Sequence, residues 1–491
     1  MFWKLFKRYF LFCGLVFNVG LLYSVYSFSH ALFDGQTVPG VFFKMAGKLT
    51  AHNSTRSVGD VLMSIGNALD TPVYYWQPYD RQQWPTVGPD YASPPSIGVE
   101  PRKSFYVVNT NELIDAIHYS KPGTTIVVAD GDYTLQAKRF ETSNDEPTKY
   151  NPIVLKAEHP GKARLLMTSL EGLYIARPFW TITGFQFVGQ CPNQNSCEHA
   201  IHVVGGAHNV QIINNEFIDF NAAVKVNGNA GMYPDDGKVL YNNFHFTKPR
   251  ETIYSVTPIN IDHANNWVVS HNIIRDFVKS AGNKISYGVF MKGGSNNGII
   301  ENNLVLCNST KQRYPGSTIG ISAGGGGMED RRGGVRYQTN KLIIRNNIVF
   351  HCSDVGIYLN GGRDTLINNN TVYNTNGIDV RFEESSAMIF NNIVSGHVRV
   401  RDDAKVIAQA GNKIYPRGFF TNKEELNSLF VSPETGNFTF ADSKTDLSKG
   451  ASPYPLQQNE KLADFCGDDI ANKQQFIGAF QNSSGCFYPT K

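Results

Sequence analysis

The sequence predicts an all-β chain folded as a parallel β-helix (solenoid), and three observations carry that prediction. One short phrase recurs from Val210 to Asn392: VQIINNEFIDF (210–220), LYNNFHF (240–246), WVVSHNIIRDF (267–277), GIIENNLVLC (298–307), LIIRNNIVFHC (342–352), TLINNNTVYN (365–374) and MIFNNIVSG (388–396). Aligned on Asn215, Asn243, Asn272, Asn303, Asn347, Asn370 and Asn392, the copies are spaced by 28, 29, 31, 44, 23 and 22 residues. Apolar runs of strand length at such a period belong to coils that bury a core only by stacking. The third observation is the Asn itself. It tolerates the left-handed corner between two strands, and stacked amides can bond to one another along the stack. Unrelated hairpins would instead show Asn-Gly at hairpin spacing.

Composition agrees. The 491 residues are 41% hydrophobic and 12% aromatic, with 45 Gly and 23 Pro, which suits a turn-rich folded β protein rather than a disordered one. The net charge of +3 is bland, yet residues 221–413 hold 21 Lys or Arg against 15 Asp or Glu, a local excess of 6. That excess leans toward an acidic partner, although a solvated basic face is the commoner explanation of so mild an excess.

In chain order, residues 1–31 read as a membrane-targeting segment. Lys4, Lys7 and Arg8 precede an apolar run from Tyr9 to Phe28, about the length of one membrane span. Ser29-His30-Ala31 fits a cleavage site, so a cleaved signal peptide and a retained anchor both remain open. Either way the rest of the chain is expected outside the cytoplasm, periplasmic or extracellular or anchored facing outward. Residues 32–103 carry a weak helical pattern at 58–69 and then seven Pro before Arg102, a stalk or wrapping segment. The β-helix is expected over 104–415 and a C-terminal capping segment over 416–491.

At the start of the β-helix, Asn109 can cap a short helix with Glu112 in capping-box position, and Leu113, Ala116 and Ile117 form its apolar face. Such a helix would cover the open edge of the first coil. Outside the leader's Cys13 the chain has six Cys, an even number that fits disulfides in an exported chain. Cys191–Cys197 and Cys466–Cys486 would close local loops, and Cys307 and Cys352 fall at matching places in successive coils. Six reduced, buried thiols are the alternative.

A family resemblance is specific here. ELIDAIHYSKPGTTIVVADGDYTL, NPIVLKAEHPGKARLL and LYIARPFWTITGFQFVG resemble the opening of right-handed β-helix polysaccharide lyases, nearest the chondroitinase B and alginate lyase group and more loosely the family-nine pectate lyases. LFVSPETGNFTFADSKTDLSKGAS and QQFIGAFQ resemble the closing segment of those enzymes. The resemblance frames residues 105–481. It implies a right-handed parallel β-helix, export, and an acidic polysaccharide as substrate class. It does not imply activity by itself.

Eliminative cleavage of a uronate needs a cation to neutralise the C6 carboxylate, a base for the C5 proton and a proton for the departing O4. Two stretches one coil apart offer candidates. PINIDHANNW (258–267) supplies Asp262 and His263, and YGVFMKGGSNNG (287–298) supplies Lys292 before Gly293-Gly294. The second resembles the glycine-flanked lysine strand of family-nine pectate lyases, although that family has one residue between Lys and Gly. A one-residue slip reverses the face of a strand. The first is faintly similar to the Asp-Pro-His-Asp box of alginate C5-epimerases, matching in Asp262 and His263 alone.

The 44-residue spacing marks an insertion containing AGGGGMEDRRGG (323–334). Arg331 and Arg332 suit carboxylate capture, and Glu329 and Asp330 with Asp262 are candidate oxygen ligands for Ca²⁺, the one cofactor considered. Arg336 and Arg381 would extend a substrate-binding face, while a solvated loop with mutually paired charges is the plain alternative. His199 and His202, which follow the Cys-bounded loop, are expected to serve a polar surface role rather than to ligate a metal. No paired-aspartate hydrolase arrangement, phosphate loop, dinucleotide fingerprint or GxSxG elbow is present. The expected enzyme is therefore a monomeric polysaccharide lyase with Lys292 or His263 as base and Arg331 as clamp, with no nucleic-acid partner. A C5-epimerase and a non-catalytic glycan-binding scaffold are the rivals.

Overall fold

The computed structural model describes residues 38–50, 53–69, 103–310, 314–325, 330–416 and 424–442, with short pieces between 448 and 480 and isolated positions before residue 30. Most of the expected targeting segment, the Pro-rich stretch 70–102, Glu329, Cys466 and Cys486 lie outside the described residues. Among the described residues, no helix is long and apolar enough to cross a membrane.

The repeat builds a three-sided solenoid. Each coil runs through a first, a second and a third sheet of 12, 11 and 10 strands, as in Val268–Ser270, Ile273–Arg275 and Ile285–Lys292. Neighbouring coils pair in parallel, for example Val268 with Ile299 and Ile273 with Leu304. Inward residues are almost fully apolar, and they stack in register: the Phe187, Phe217 and Phe244 rings lie 4.9 and 4.7 Å apart and nearly parallel. Variable coil length is absorbed by the connections into and out of the third sheet.

The Asn corner divides its two jobs between consecutive residues. The left-handed conformation falls on Asn214, Tyr241, His271, Asn302, Asn346, Asn369 and Asn391, with φ from 51 to 56°. The next residue supplies the amide ladder, Asn215–Asn242–Asn272–Asn303–Asn347–Asn370–Asn392–Asn412, with Nδ2 to Oδ1 distances of 2.9–3.1 Å. Two corrections to the sequence alignment follow. The rung of the second copy is Asn242, not Asn243, which pairs with Glu216 one place further on. An eighth rung, Asn412, stands in a copy too degenerate to notice.

The capping helix is Thr110–Tyr119. Asn109 Oδ1 accepts from Glu112 N at 3.0 Å, Glu112 Oε2 accepts from Val108 N at 3.0 Å, and Leu113 and Ile117 are buried. The Cys191–Cys197 and Cys307–Cys352 disulfides are formed. Those disulfides fit an exported chain. Within the expected stalk, helices Val38–Thr50 and Arg56–Leu69 pack on each other and dock on turns that enter the third sheet, through Lys44 to Asp354 (3.8 Å) and Lys284 Nζ to Thr50 Oγ1 (2.5 Å). Toward the C-terminus, Phe430, Phe438, Phe440, Phe476 and Phe480 pack with Ile348, Phe350 and Ile393 on the outer side of the second sheet.

Candidate functional site

Strands of the third sheet alternate faces with period two. Val224, Val226, Ile259, Ile261, Val289 and Met291 point into the core, so Lys225, Asn260, Asp262, Phe290 and Lys292 point outward. Registration brings Lys225 beside Asn260 and Asp262 beside Lys292 on adjacent strands. Asp262 thereby stands between two ammonium groups. It forms a close ion pair with Lys225 and a second with Lys292 Nζ at 3.8 Å. Lys225 also donates to Asn260 Oδ1 at 3.0 Å.

Exposure decides which members can meet a ligand. The Lys225 and Lys292 side chains keep 16% and 12% of their surface, and Asp262 keeps 3%. The lysines are therefore reachable and the carboxylate serves to hold them. Lys292 also lies 4.7 Å from the Phe290 ring centroid. Burial pushes the Lys292 pKa below the ordinary lysine value, Asp262 opposes that shift, and the Lys225 charge adds to it.

The insertion borders this cluster. Gly324 N donates to Met291 O at 2.7 Å, and a Cβ on Gly325 would lie 3.6 Å from Lys292 Cδ, so the loop leaves the sheet beside the lysine. It returns through Arg332, whose N donates to Gly293 O at 2.9 Å. The Arg332 guanidinium holds Asp235 through two bonds of 2.6 and 3.0 Å and lies 4.1 Å from the Tyr233 ring centroid. Gly293 and Gly294, at φ 73 and 83°, have a steric reason to be Gly. A Cβ on the first would meet the His263 ring at 3.3 Å, and one on the second would meet Arg332 O at 2.9 Å.

The sequence-selected residues thus separate. Lys292 and Asp262 join, with Lys225 and Asn260 as members that the sequence reading did not single out. Their outward alternation in VKVN, INID and VFMK was the available signal. His263 lies next to the cluster at φ 57°, its Nε2 donating to the Asp330 carbonyl at 2.6 Å. The Asp330 side chain is exposed, and Arg331 opens the short turn Arg332–Gly334. Arg332 is engaged by Asp235, and exposed Arg336 lies 3.3 Å from both Glu383 and Glu384. Arg381 pairs with Asp402, three strands beyond Lys292 and so about 14 Å away at the usual strand spacing. Asp379, between Arg399 and Arg401, continues that charged face. Asp262 is already committed to two lysines, which makes it a poor fit to a Ca²⁺ site.

The sequence family described as Right handed beta helix region matches residues 283–418. No curated protein sequence matches the chain. Solved structures similar to it include the pectate lyase Pel9A (15% identity, 78% of this chain and 98% of that one, TM-score 0.48). A rhamnogalacturonan lyase follows (13% identity, 67% and 91%, TM-score 0.47), as does an alginate lyase from Paenibacillus sp. str. FPU-7 (15% identity, 63% and 99%, TM-score 0.34).

Proposed function

We propose that this right-handed parallel β-helix is an exported lyase acting on a uronate-containing polysaccharide by C5 proton abstraction and β-elimination. The observation that carries the reading is the Lys225–Asp262–Lys292 cluster on the outer side of the third sheet, where both lysines keep some exposure. Such a cluster has a neutralising cation and a base in one place. Lys225, paired with Asp262 and oriented by Asn260, neutralises the C6 carboxylate and so acidifies the C5 proton. Lys292, whose pKa burial lowers, removes that proton as the neutral amine. The ammonium so formed gives it to the departing O4 as the C4–O4 bond breaks and the C4–C5 double bond forms. Asp262 touches both lysines and fixes their separation. It acts as a positioning residue, and no step passes through calcium. His263, beside Gly293, is the alternative base.

The reading calls for an anionic substrate, whose C6 carboxylate is the group that Lys225 meets. The test is incubation of the exported portion with alginate, pectate, chondroitin and dermatan, following ultraviolet absorbance of an unsaturated uronate. Absorbance lost on Lys292→Ala supports the reading; absorbance that survives Lys292→Ala but not His263→Ala moves the base to His263. Epimerisation starts with the same abstraction and would appear as solvent deuterium at C5 without absorbance. Absence of both signals would leave a glycan-binding scaffold.

A further inference from the structure

The helical hairpin that precedes the solenoid carries an apolar surface with no part in the chemistry above. Helix Arg56–Leu69 has two apolar faces. One packs on helix Val38–Thr50, where Met63 is buried with Phe43 and Ala46. That approach is close, since a Cβ on Gly59 would lie 2.5 Å from Thr50 Cγ2 and one on Gly66 would lie 2.6 Å from the Phe43 ring. The other face is bare. Val58, Val61, Ile65 and Leu69 fall at i, i+3, i+7 and i+11 and are 56%, 58%, 37% and 44% exposed. That spacing makes one stripe of three turns, about 16 Å long at the helical rise. Met45, exposed on the first helix, adds a fifth apolar side chain.

An uninterrupted apolar stripe on a surface helix marks a contact with a protein or a membrane, and three observations select the membrane. The chain enters the hairpin from the apolar run Tyr9–Phe28, and Phe28 stands ten positions before Val38. A leader seated in a bilayer would therefore hold the hairpin within about 35 Å of the lipid surface. Val19, Leu22 and Val25, among the described positions of that run, are themselves exposed. The charge of the hairpin is complementary to anionic headgroups: residues 38–69 hold Lys44, Lys48 and Arg56 against Asp60 alone, a net charge of +2. The exposed apolar set is also small. It falls far short of the roughly 20–30 residues a side that a stable protein dimer engages, whereas an interfacial helix needs only one apolar face.

We propose that the exposed stripe of helix Arg56–Leu69 seats on an anionic lipid bilayer, with the helix lying in the membrane plane. The hairpin would carry the solenoid with it. Lys44 pairs with Asp354, and Gly47 approaches Gly316 so closely that a Cβ there would meet its backbone N at 2.9 Å. Both partners stand in turns that enter strands of the third sheet, so those turns are held near the lipid surface. This contact is separate from the leader's own, and the proposal is independent of the lyase reading.

The test places the full chain, leader included, in vesicles of phosphatidylethanolamine and phosphatidylglycerol that contain a phospholipid with a photoactivatable acyl chain. Lipid adducts are then mapped by digestion and mass spectrometry. Adducts are expected on residues 56–69 as well as on 9–28. Val61→Ser combined with Ile65→Ser, both at exposed positions, should reduce those on 56–69 roughly tenfold. Adducts on 9–28 should not change, which shows that the variant chain is still inserted. Adducts confined to 9–28 would overturn the assignment, as would adducts on 56–69 that survive the double substitution. A chain-to-chain cross-link at 56–69 in place of lipid would overturn it too, in favour of a second copy.

Discussion

Replacing Asn303 by Ala should be among the most damaging polar substitutions in the chain, and the cost can be worked from its bonds. The fully buried amide donates to Val269 O, Glu301 O and Asn347 Oδ1 at 2.9, 2.8 and 3.0 Å, and accepts from Asn272 N and Nδ2 at 3.0 and 2.9 Å. The two amide hydrogens are shared among three acceptors, so about four bonds' worth is lost, and the Asn272 backbone N–H is left in the core without its acceptor. At about 1 kcal/mol net per bond, with a larger penalty for a stranded donor, the loss is about 4–6 kcal/mol. Asn412, the last rung, gives an internal comparison. It is half-buried and takes part in three ladder bonds, so Asn412→Ala should cost about 1–3 kcal/mol. Urea unfolding followed by far-ultraviolet circular dichroism measures both. A loss at Asn303 below about 2 kcal/mol, or no larger than that at Asn412, would refute the ladder as a main source of coil-to-coil cohesion.

Other outcomes follow from the same geometry. The lyase rate should rise with pH as Lys292 loses its proton and level off before the ordinary lysine value of about 10.4, because burial lowers the folded pKa; a limb still rising beyond that value would exclude Lys292 as the base. Arg332→Ala removes the two-bond clamp on Asp235, so proteolysis within 323–336 should accelerate roughly fivefold for about 1 kcal/mol lost at this partly exposed pair. Cleavage at an unchanged rate would show that the loop is held otherwise. Opening the Cys307–Cys352 bridge, which spans 45 residues, should cost up to about 4 kcal/mol by loop entropy, read as a lower urea midpoint under reductant. A midpoint that does not move would show that coil stacking already supplies the constraint.

What the sequence made legible follows the physics of a repeat. Stacking forces identical environments on successive coils, so the apolar strands and the Asn rungs announce themselves by period. The rung at Asn242 was misplaced by one because two Asn are adjacent there, and backbone handedness, which falls on Tyr241, is what tells them apart. The site was harder to see. Lys292 and Asp262 stood out through a Gly pair and an adjacent His, while Lys225 is marked only by its outward place in VKVN. Its role exists only through registration with Asn260 and its reach to Asp262, a contact across 37 residues of sequence. The Gly pair itself misled in part, since packing of His263 and Arg332 accounts for it. Burial of His199 and His202 was equally hidden, because outward positions of a solenoid are normally solvated.

The most direct measurement compares the unsubstituted chain with its Lys292→Ala and Lys225→Ala variants in deuterated solvent on one uronate polymer, reading unsaturated product and deuterium at C5 together. The account predicts product with the unsubstituted chain, none with either variant, and recovery of part of the rate in Lys225→Arg, which keeps the cation. Equal product from all of them, or no exchange and no product from any, would contradict a lysine-based proton abstraction at this cluster.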